Sequence, residues 1–143
     1  MNDSRGFSIV ELLIVVAIIG TIMAVAVPGL VRARQYAQSG SAIQTLRTVT
    51  TAENLYRIRY KKYGLLSDLA PEGTIDDHIA AGEKSGYLFE LKIEVVDGIE
   101  HFNCTGAPRV EPATSSYFFV DDSAVIRYEV GAAATAVSPP IPR

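Results

Sequence analysis

The chain has 143 residues, one cysteine and a formal net charge of −3, which leaves room for one helical stalk and one small domain and excludes a disulfide within the chain. Apolar residues make up 48% and mean hydropathy is +0.19, high for a water-soluble protein, but the surplus lies in the first 31 positions and the remainder is ordinary. Charge is split along the chain: from Arg32 to Lys62 seven basic residues face Glu53 alone, a balance of +6, whereas from Gly64 onward thirteen acids oppose five bases, a balance of −8.

At the N-terminus, Arg5, Gly6, Phe7, Ser8, Ile9, Val10 and Glu11 lead into residues 12–31, which carry no charge before Arg32. As a helix at about 1.5 Å per residue, those 20 residues reach about 30 Å, the thickness of a bilayer's hydrocarbon core. Glu11 lies inside the apolar face. A carboxylate in hydrocarbon costs about 2.5 kcal/mol or more, so it needs a cationic partner. An ordinary secretory signal could be cut after Ala24-Val25-Ala26, but its apolar core runs to about 7–15 residues and should carry no glutamate. A plain membrane anchor meets the same objection from Glu11. Arg32 and Arg34 follow the span while Arg5 alone precedes it, so the positive-inside rule would hold the large domain in the cytoplasm; the motif is given precedence over that rule.

The run from Gly6 to Pro28 closely resembles the prepilin signature of type IV pilins and of the pseudopilins of type II secretion. The resemblance covers about a sixth of the chain. It implies that residues 1–6 are a leader with Arg5 as its basic residue, and that a membrane prepilin peptidase cuts between Gly6 and Phe7. It also implies that the new Phe7 amine is methylated, and that Glu11 of an incoming subunit meets the Phe7 amine of a neighbour. Physical chemistry agrees on the last point, since each charge is tolerable in lipid only when paired. Cleavage would leave 137 residues. A basic stalk and an acidic head on one chain favour head-to-tail contacts between copies, the heterologous geometry that builds open filaments.

Within the span, Pro28 removes the hydrogen bond to the Ala24 carbonyl, and Gly20 and Gly29 lower helix propensity around it. The stretch from Gly20 to Pro28 is therefore a weak point, read either as a gentle proline kink or, by the resemblance, as a region that loses helicity in an assembled filament. Beyond Arg32 the spacing predicts a continuing amphipathic helix to about Tyr63, with Ala42, Leu46, Val49, Tyr56, Tyr60 and Tyr63 in one stripe interrupted by Glu53. Ser39-Gly40-Ser41 is a second soft point. Gly64 is the expected left-handed cap, and Arg57, Arg59, Lys61 and Lys62 complement the negative end of the helix.

Residues 65–85 read as a loop-rich connection with an acidic Asp76-Asp77 pair, a candidate surface for subunit contacts. Tyr87, Phe89, Leu91, Ile93 and Val95 then alternate with Glu90, Lys92 and Glu94, and Asp97-Gly98 is the hairpin signal for a two-residue turn into residues 99–105. That turn sets the register: Val96 opposite Ile99, Ile93 opposite Phe102, Leu91 opposite Cys104, and Glu94 opposite His101 on the outer side. A second hairpin, residues 117–121 and 124–130 around Asp122-Ser123, completes four strands, though its turn lacks glycine. The Ala-rich, proline-ended tail, residues 131–143, is expected to be flexible.

Sites for chemistry are few. His101 and Cys104 lie three apart on a strand and point to opposite faces, so no metal site is assigned, and Cys104 is read as a small buried hydrophobe. His101 is read as a partner of Glu94. Asp121-Asp122 permits calcium, and Asn103-Cys104-Thr105 fits a glycosylation sequon inside a strand. The interleaving of bases and aromatics over residues 57–63 also permits nucleic-acid binding, although a cationic helix end needs no ligand to explain it. Many resembling pilins close a C-terminal loop with two cysteines, and this chain departs from that pattern.

The expected fold is therefore α+β: a long N-terminal helix, transmembrane in its first half, packed on a four-stranded antiparallel sheet as a pilin-like lollipop. Its divisions are leader 1–6, transmembrane and assembly half 7–31, amphipathic half 32–63, head 64–130 and flexible tail 131–143. The expected function is that of a type IV pilus subunit, not an enzyme and without cofactor. Its partners would be further copies in a helical homopolymer, the prepilin peptidase, the inner-membrane assembly platform, and the membrane itself before assembly. A type II secretion pseudopilin and a membrane-tethered binding module are the alternatives. Adhesion, motility, DNA uptake and electron transfer stay open, as does a major against a minor subunit.

Overall fold

A computed structural model describes residues 7–110 and 114–142. The chain divides after Tyr36 into two units, and helix α1 (Ile9–Tyr60, 52 residues) contributes to both. In the first unit every described residue up to Arg34 is exposed, Gln35 excepted from that run by its partial burial. The most apolar part of the chain is thus exposed along its length, as a membrane-facing helix would require. The helix passes Gly20, Pro28 and Gly29 without interruption, and nothing lies within 4 Å of a Cβ placed on either glycine. The Ala24 carbonyl lacks its helical donor because Pro28 has no N–H, yet the stretch between Gly20 and Pro28 stays helical.

The second unit is a five-stranded antiparallel sheet in sequential order, with the rest of α1 against one face. The strands are β1 (Glu83–Lys84), β2 (Tyr87–Val96), β3 (Ile99–Pro108), β4 (Ser116–Asp121) and β5 (Arg127–Val130). Ala42, Leu46, Val49, Ala52 and Glu53 of the helix are buried. They meet inward residues of alternate strand positions, chiefly Phe89, Leu91, Phe102, Cys104, Phe118 and Val120. Each large side chain so buried stabilises by roughly 1.5–3 kcal/mol. This is the α+β, pilin-like arrangement that the resemblance implies, with five strands in place of four. The extra strand, β1, is two residues long, and Ser85 and Gly86 at φ 52° and 80° turn it into β2.

The first hairpin has the register that its Asp97-Gly98 turn dictates, with Val96 opposite Ile99, Ile93 opposite Phe102, Leu91 opposite Cys104 and Glu94 opposite His101. Both turn residues take positive φ, 52° and 80°, which Asp and Gly tolerate. Cys104 is 0% exposed, between Leu91 on one side and Val120 on the other. Burial first, then the charges of Glu53 and Glu90, push its thiol up to about 12. Because the thiolate is the reactive form, Cys104 should label slowly with a maleimide at neutral pH and quickly once the head is unfolded. Fast labelling of the native protein would mean that β3 does not turn this face inward.

The second hairpin is one residue out of the expected register. Phe119 pairs with Arg127 and Phe118 with Tyr128, whereas a two-residue turn at Asp122-Ser123 would have set Asp121 against Ala124. Asp121 accepts from the Ser123 backbone N–H at 3.0 Å and from its hydroxyl, and Ala124 takes φ 60°, so the chain makes a wider loop before β5. Helix α1 stops at Tyr60, three residues early, because Lys61 rather than Gly64 takes the left-handed conformation, at φ 60°. Gly64 serves a close approach instead: a Cβ there would stand 3.0 Å from the Tyr56 ring. The stripe ends accordingly, with Tyr56 half-buried, Tyr60 exposed and Tyr63 buried beyond the helix.

The connection over residues 65–85 is more regular than its composition suggests. It holds α2 (Leu66–Leu69), a 3-10 turn (Ala70–Glu72) and α3 (Asp77–Ala80), which anchor Leu66, Leu69 and Ile79 in the core. Asp76 caps α3, its carboxylate accepting from the Ile79 N–H at 2.9 Å and pairing with Lys84 at 2.5 Å. The tail also departs from expectation. The Tyr128 N–H donates to Pro139 and the Ile141 N–H to Ile126, both at 3.0 Å, and Ala134 and Ser138 are buried. Edge strand β5 is thereby covered by the chain's own end.

Candidate functional site: the first turn of the apolar helix

Ser8 begins the site. Its hydroxyl accepts from the Val10 N–H at 3.3 Å, and its carbonyl accepts the first helical bond from Leu12 at 3.2 Å. The Glu11 carboxylate reaches back to the Ser8 N–H at 3.1 Å through Oε2. Ser8-Ile9-Val10-Glu11 is thus a variant of the capping box, in which Glu11 satisfies the Ser8 N–H while the Ser8 hydroxyl takes the N–H of Val10, the second helical residue, rather than that of Glu11. The negative carboxylate also complements the positive end of the helix. This second role of Glu11, and all of Ser8's, was legible as a Ser-x-x-Glu pattern before an apolar run but is absent from the sequence-based expectations.

The cap occupies one carboxylate oxygen and leaves the charge uncompensated, since among the described residues Glu11 is in no ion pair. Phe7, 82% exposed, stands just ahead of the cap. Gly6, the other expected cleavage residue, and Arg5, the leader's basic residue, lie outside the described residues. What this arrangement can do chemically is limited and specific: it presents a helix-capped carboxylate at the head of an exposed apolar rod, ready for one cation from outside the chain.

The other residues singled out in the sequence do not gather around this turn. His101 lies opposite Glu94 in the ladder, but its Nδ1 is 2.6 Å from Asp122, so the wider second loop supplies the partner that Glu94 was expected to be. Asp121 and Asp122, the residues that permit calcium, are engaged by Ser123 and His101 respectively. Asn103 is half-buried on β3 with its amide 3.5 Å from Glu94. In the basic, aromatic stretch, Arg57 donates to the Tyr63 hydroxyl at 2.6 Å with its guanidinium 4.9 Å from that ring, while Arg59 and the Tyr60 hydroxyl both bind Glu72. Most of the groups read as a nucleic-acid patch therefore serve the junction between helix and head.

Residues 1–27 match the family model of the prokaryotic N-terminal methylation motif. The chain is 33% identical over 72 residues to the type IV major pilin protein PilA of Myxococcus xanthus, covering 48% of this chain and 33% of that one. It is 35% identical over 63 residues to the type IV wide pilus major component PilA4 of Thermus thermophilus, covering 44% and 48% respectively. The matched part spans about a third to a half of these relatives. No solved structure matches the chain. The protein carries a prepilin-type N-terminal methylation motif and, over about half its length, is similar to major pilins of type IV pili.

Proposed function

We propose that this chain is a structural subunit of a type IV pilus, held in the inner membrane as a precursor and drawn through its N-terminal helix into a surface filament. The observation that carries this reading is the capped Glu11 charge at the head of an exposed apolar helix, which is costly in lipid until a neighbour brings a cation. The Phe7 amine supplies that cation only after the leader is removed, so prepilin peptidase would act first and methylation would leave the amine cationic. The assembly platform of the inner membrane would then deliver subunits one at a time. Both relatives are components of pili, which favours a pilus over a secretion pseudopilus. The reading assigns the subunit no catalysis. In the filament, Gly20 to Pro28 is the stretch most ready to give up helix, because the Ala24 carbonyl already lacks its donor.

Mass spectrometry of the protein from sheared filaments tests the processing step. The expected mature chain begins at methylated Phe7, and Gly6→Val should leave the uncut precursor in the membrane. A mature chain beginning at Val27 would overturn the assignment in favour of an ordinary secretory signal.

A further inference from the structure

Two charged surfaces of the head are left without ion-pair partners among the described residues. At the end of α1, Arg57, Lys61 and Lys62 are in none of the chain's ion pairs; at the tip of the β2–β3 hairpin, Glu94, Asp97 and Glu100 are in none either. Exposed aliphatic surface lies beside both. Ile58 is 69% exposed, in an open groove of about 570 Å³ lined by Asn54, Arg57, Ile58 and Lys61. Val95, Val96 and Ile99 are 65%, 53% and 56% exposed around the hairpin turn. The inward alternation that buries Tyr87, Phe89 and Leu91 gives way to half-burial at Ile93 and exposure at Val95.

Within one chain a hydrogen bond joins the two surfaces, the Glu100 carboxylate accepting from the Tyr63 N–H at 3.1 Å. Neither the lysines nor the three aliphatics gain from that contact. A cationic groove around one aliphatic residue and an anionic finger around three are complementary in both charge and apolar surface, and they are different patches. Such patches can pair reciprocally about a two-fold or head to tail, and within a filament the head-to-tail, heterologous contact is the one that propagates from copy to copy. We infer that the β2–β3 hairpin tip of one subunit docks in the groove at the end of α1 of another copy of this chain. This inference rests on the filament reading and names a contact between heads that the N-terminal helix does not provide.

Cross-linking tests it, because Cys104 is the chain's single cysteine and is buried. The full-length Ile58→Cys/Val96→Cys variant, as the sole copy in the cell, is treated in sheared filaments with a short bis-maleimide and separated under denaturing conditions. The expected result is a ladder of covalent multimers, absent from each single variant. Lys61→Glu/Lys62→Glu added to that variant should weaken the ladder severalfold, and Glu94→Lys/Asp97→Lys added in turn should restore it. Filaments in which the two thiols stay free, or are bridged only within one chain, would overturn the inference and leave the pilus reading standing. Failure of the unmodified chain to enter filaments would overturn both.

Discussion

Glu11→Gln and Glu11→Val are expected to insert in the membrane and be cut at Gly6, yet to all but vanish from sheared surface filaments. Removing the carboxylate relieves about 2.5 kcal/mol of cost in lipid, so insertion should be unharmed or improved. Assembly would suffer because the Phe7 amine of a neighbour is left buried without its counter-charge, a loss of roughly 3–5 kcal/mol and upward of about a hundredfold in equilibrium. The two substitutions separate the two roles of Glu11. Glutamine can still accept from the Ser8 N–H and keep the capping box, whereas valine cannot, at about 0.5–2 kcal/mol of helix stability. If the charge draws subunits together, both variants fail alike; if only the cap matters, Gln assembles and Val does not. The measurement is the ratio of this protein in filaments to that in the membrane, with the variant as the only copy. An unchanged ratio for Gln would show that the Glu11 charge does not guide assembly.

How far the sequence disclosed this molecule depended on how local each determinant was. The Asp97-Gly98 turn has few alternative geometries, so it fixed ten cross-strand pairs and the inward face of Cys104 at once. Asp122-Ser123 has no glycine to force a tight turn, and the Asp121 side chain took the Ser123 N–H instead; one added loop residue was enough to shift the register and give His101 a different partner. At the end of α1 the rule that glycine caps helices failed because Gly64 was needed against the Tyr56 ring, and Lys61 bore the positive φ. The tail's Ala and Pro content conceals its pairing, because the backbone bonds of residues 139 and 141 to β5 and Ile126 depend on a surface made by distant residues.

The candidate site shows the same division. Gly6, Phe7 and Glu11 are a motif with a chemical rationale in the sequence itself, and the family model matches the region that holds them. Ser8 was equally visible as the first member of a capping box. Glu53 was not: it reads as an interruption in an apolar stripe, and only the folded chain shows the stripe burying it completely.

Glu53 should make the head less stable as pH rises from about 4.5 to about 7. Its side chain is 0% exposed; Oε2 accepts from the Gly64 N–H at 3.1 Å and Oε1 is buried with no partner. Titratable neighbours that act on it or feel it are Tyr56 on its own helix, Asp68 in α2 and Cys104 in β3, none of them a cation at neutral pH. Burial therefore dominates and raises the carboxyl to about 7 from 4.5, with the Gly64 bond opposing and Asp68 adding to the rise. A pKa raised on folding means that the native state holds the proton more tightly than the unfolded one. The stability this gives is fully present below about pH 4.5, is lost as pH climbs through about 7, and changes no further above it. The shift corresponds to a loss on the order of 3 kcal/mol, or on the order of 10 °C in melting temperature for a domain of this size. Glu53→Gln keeps an acceptor for the Gly64 N–H and cannot ionise. Thermal melts of the full-length protein in detergent should show Glu53→Gln close to wild type at pH 4.5 and clearly more stable at pH 8. All other titratable groups are common to both proteins and cancel in the difference. A difference between the two that stays constant from pH 4.5 to 8 would mean that Glu53 reaches solvent or a cation in the folded head.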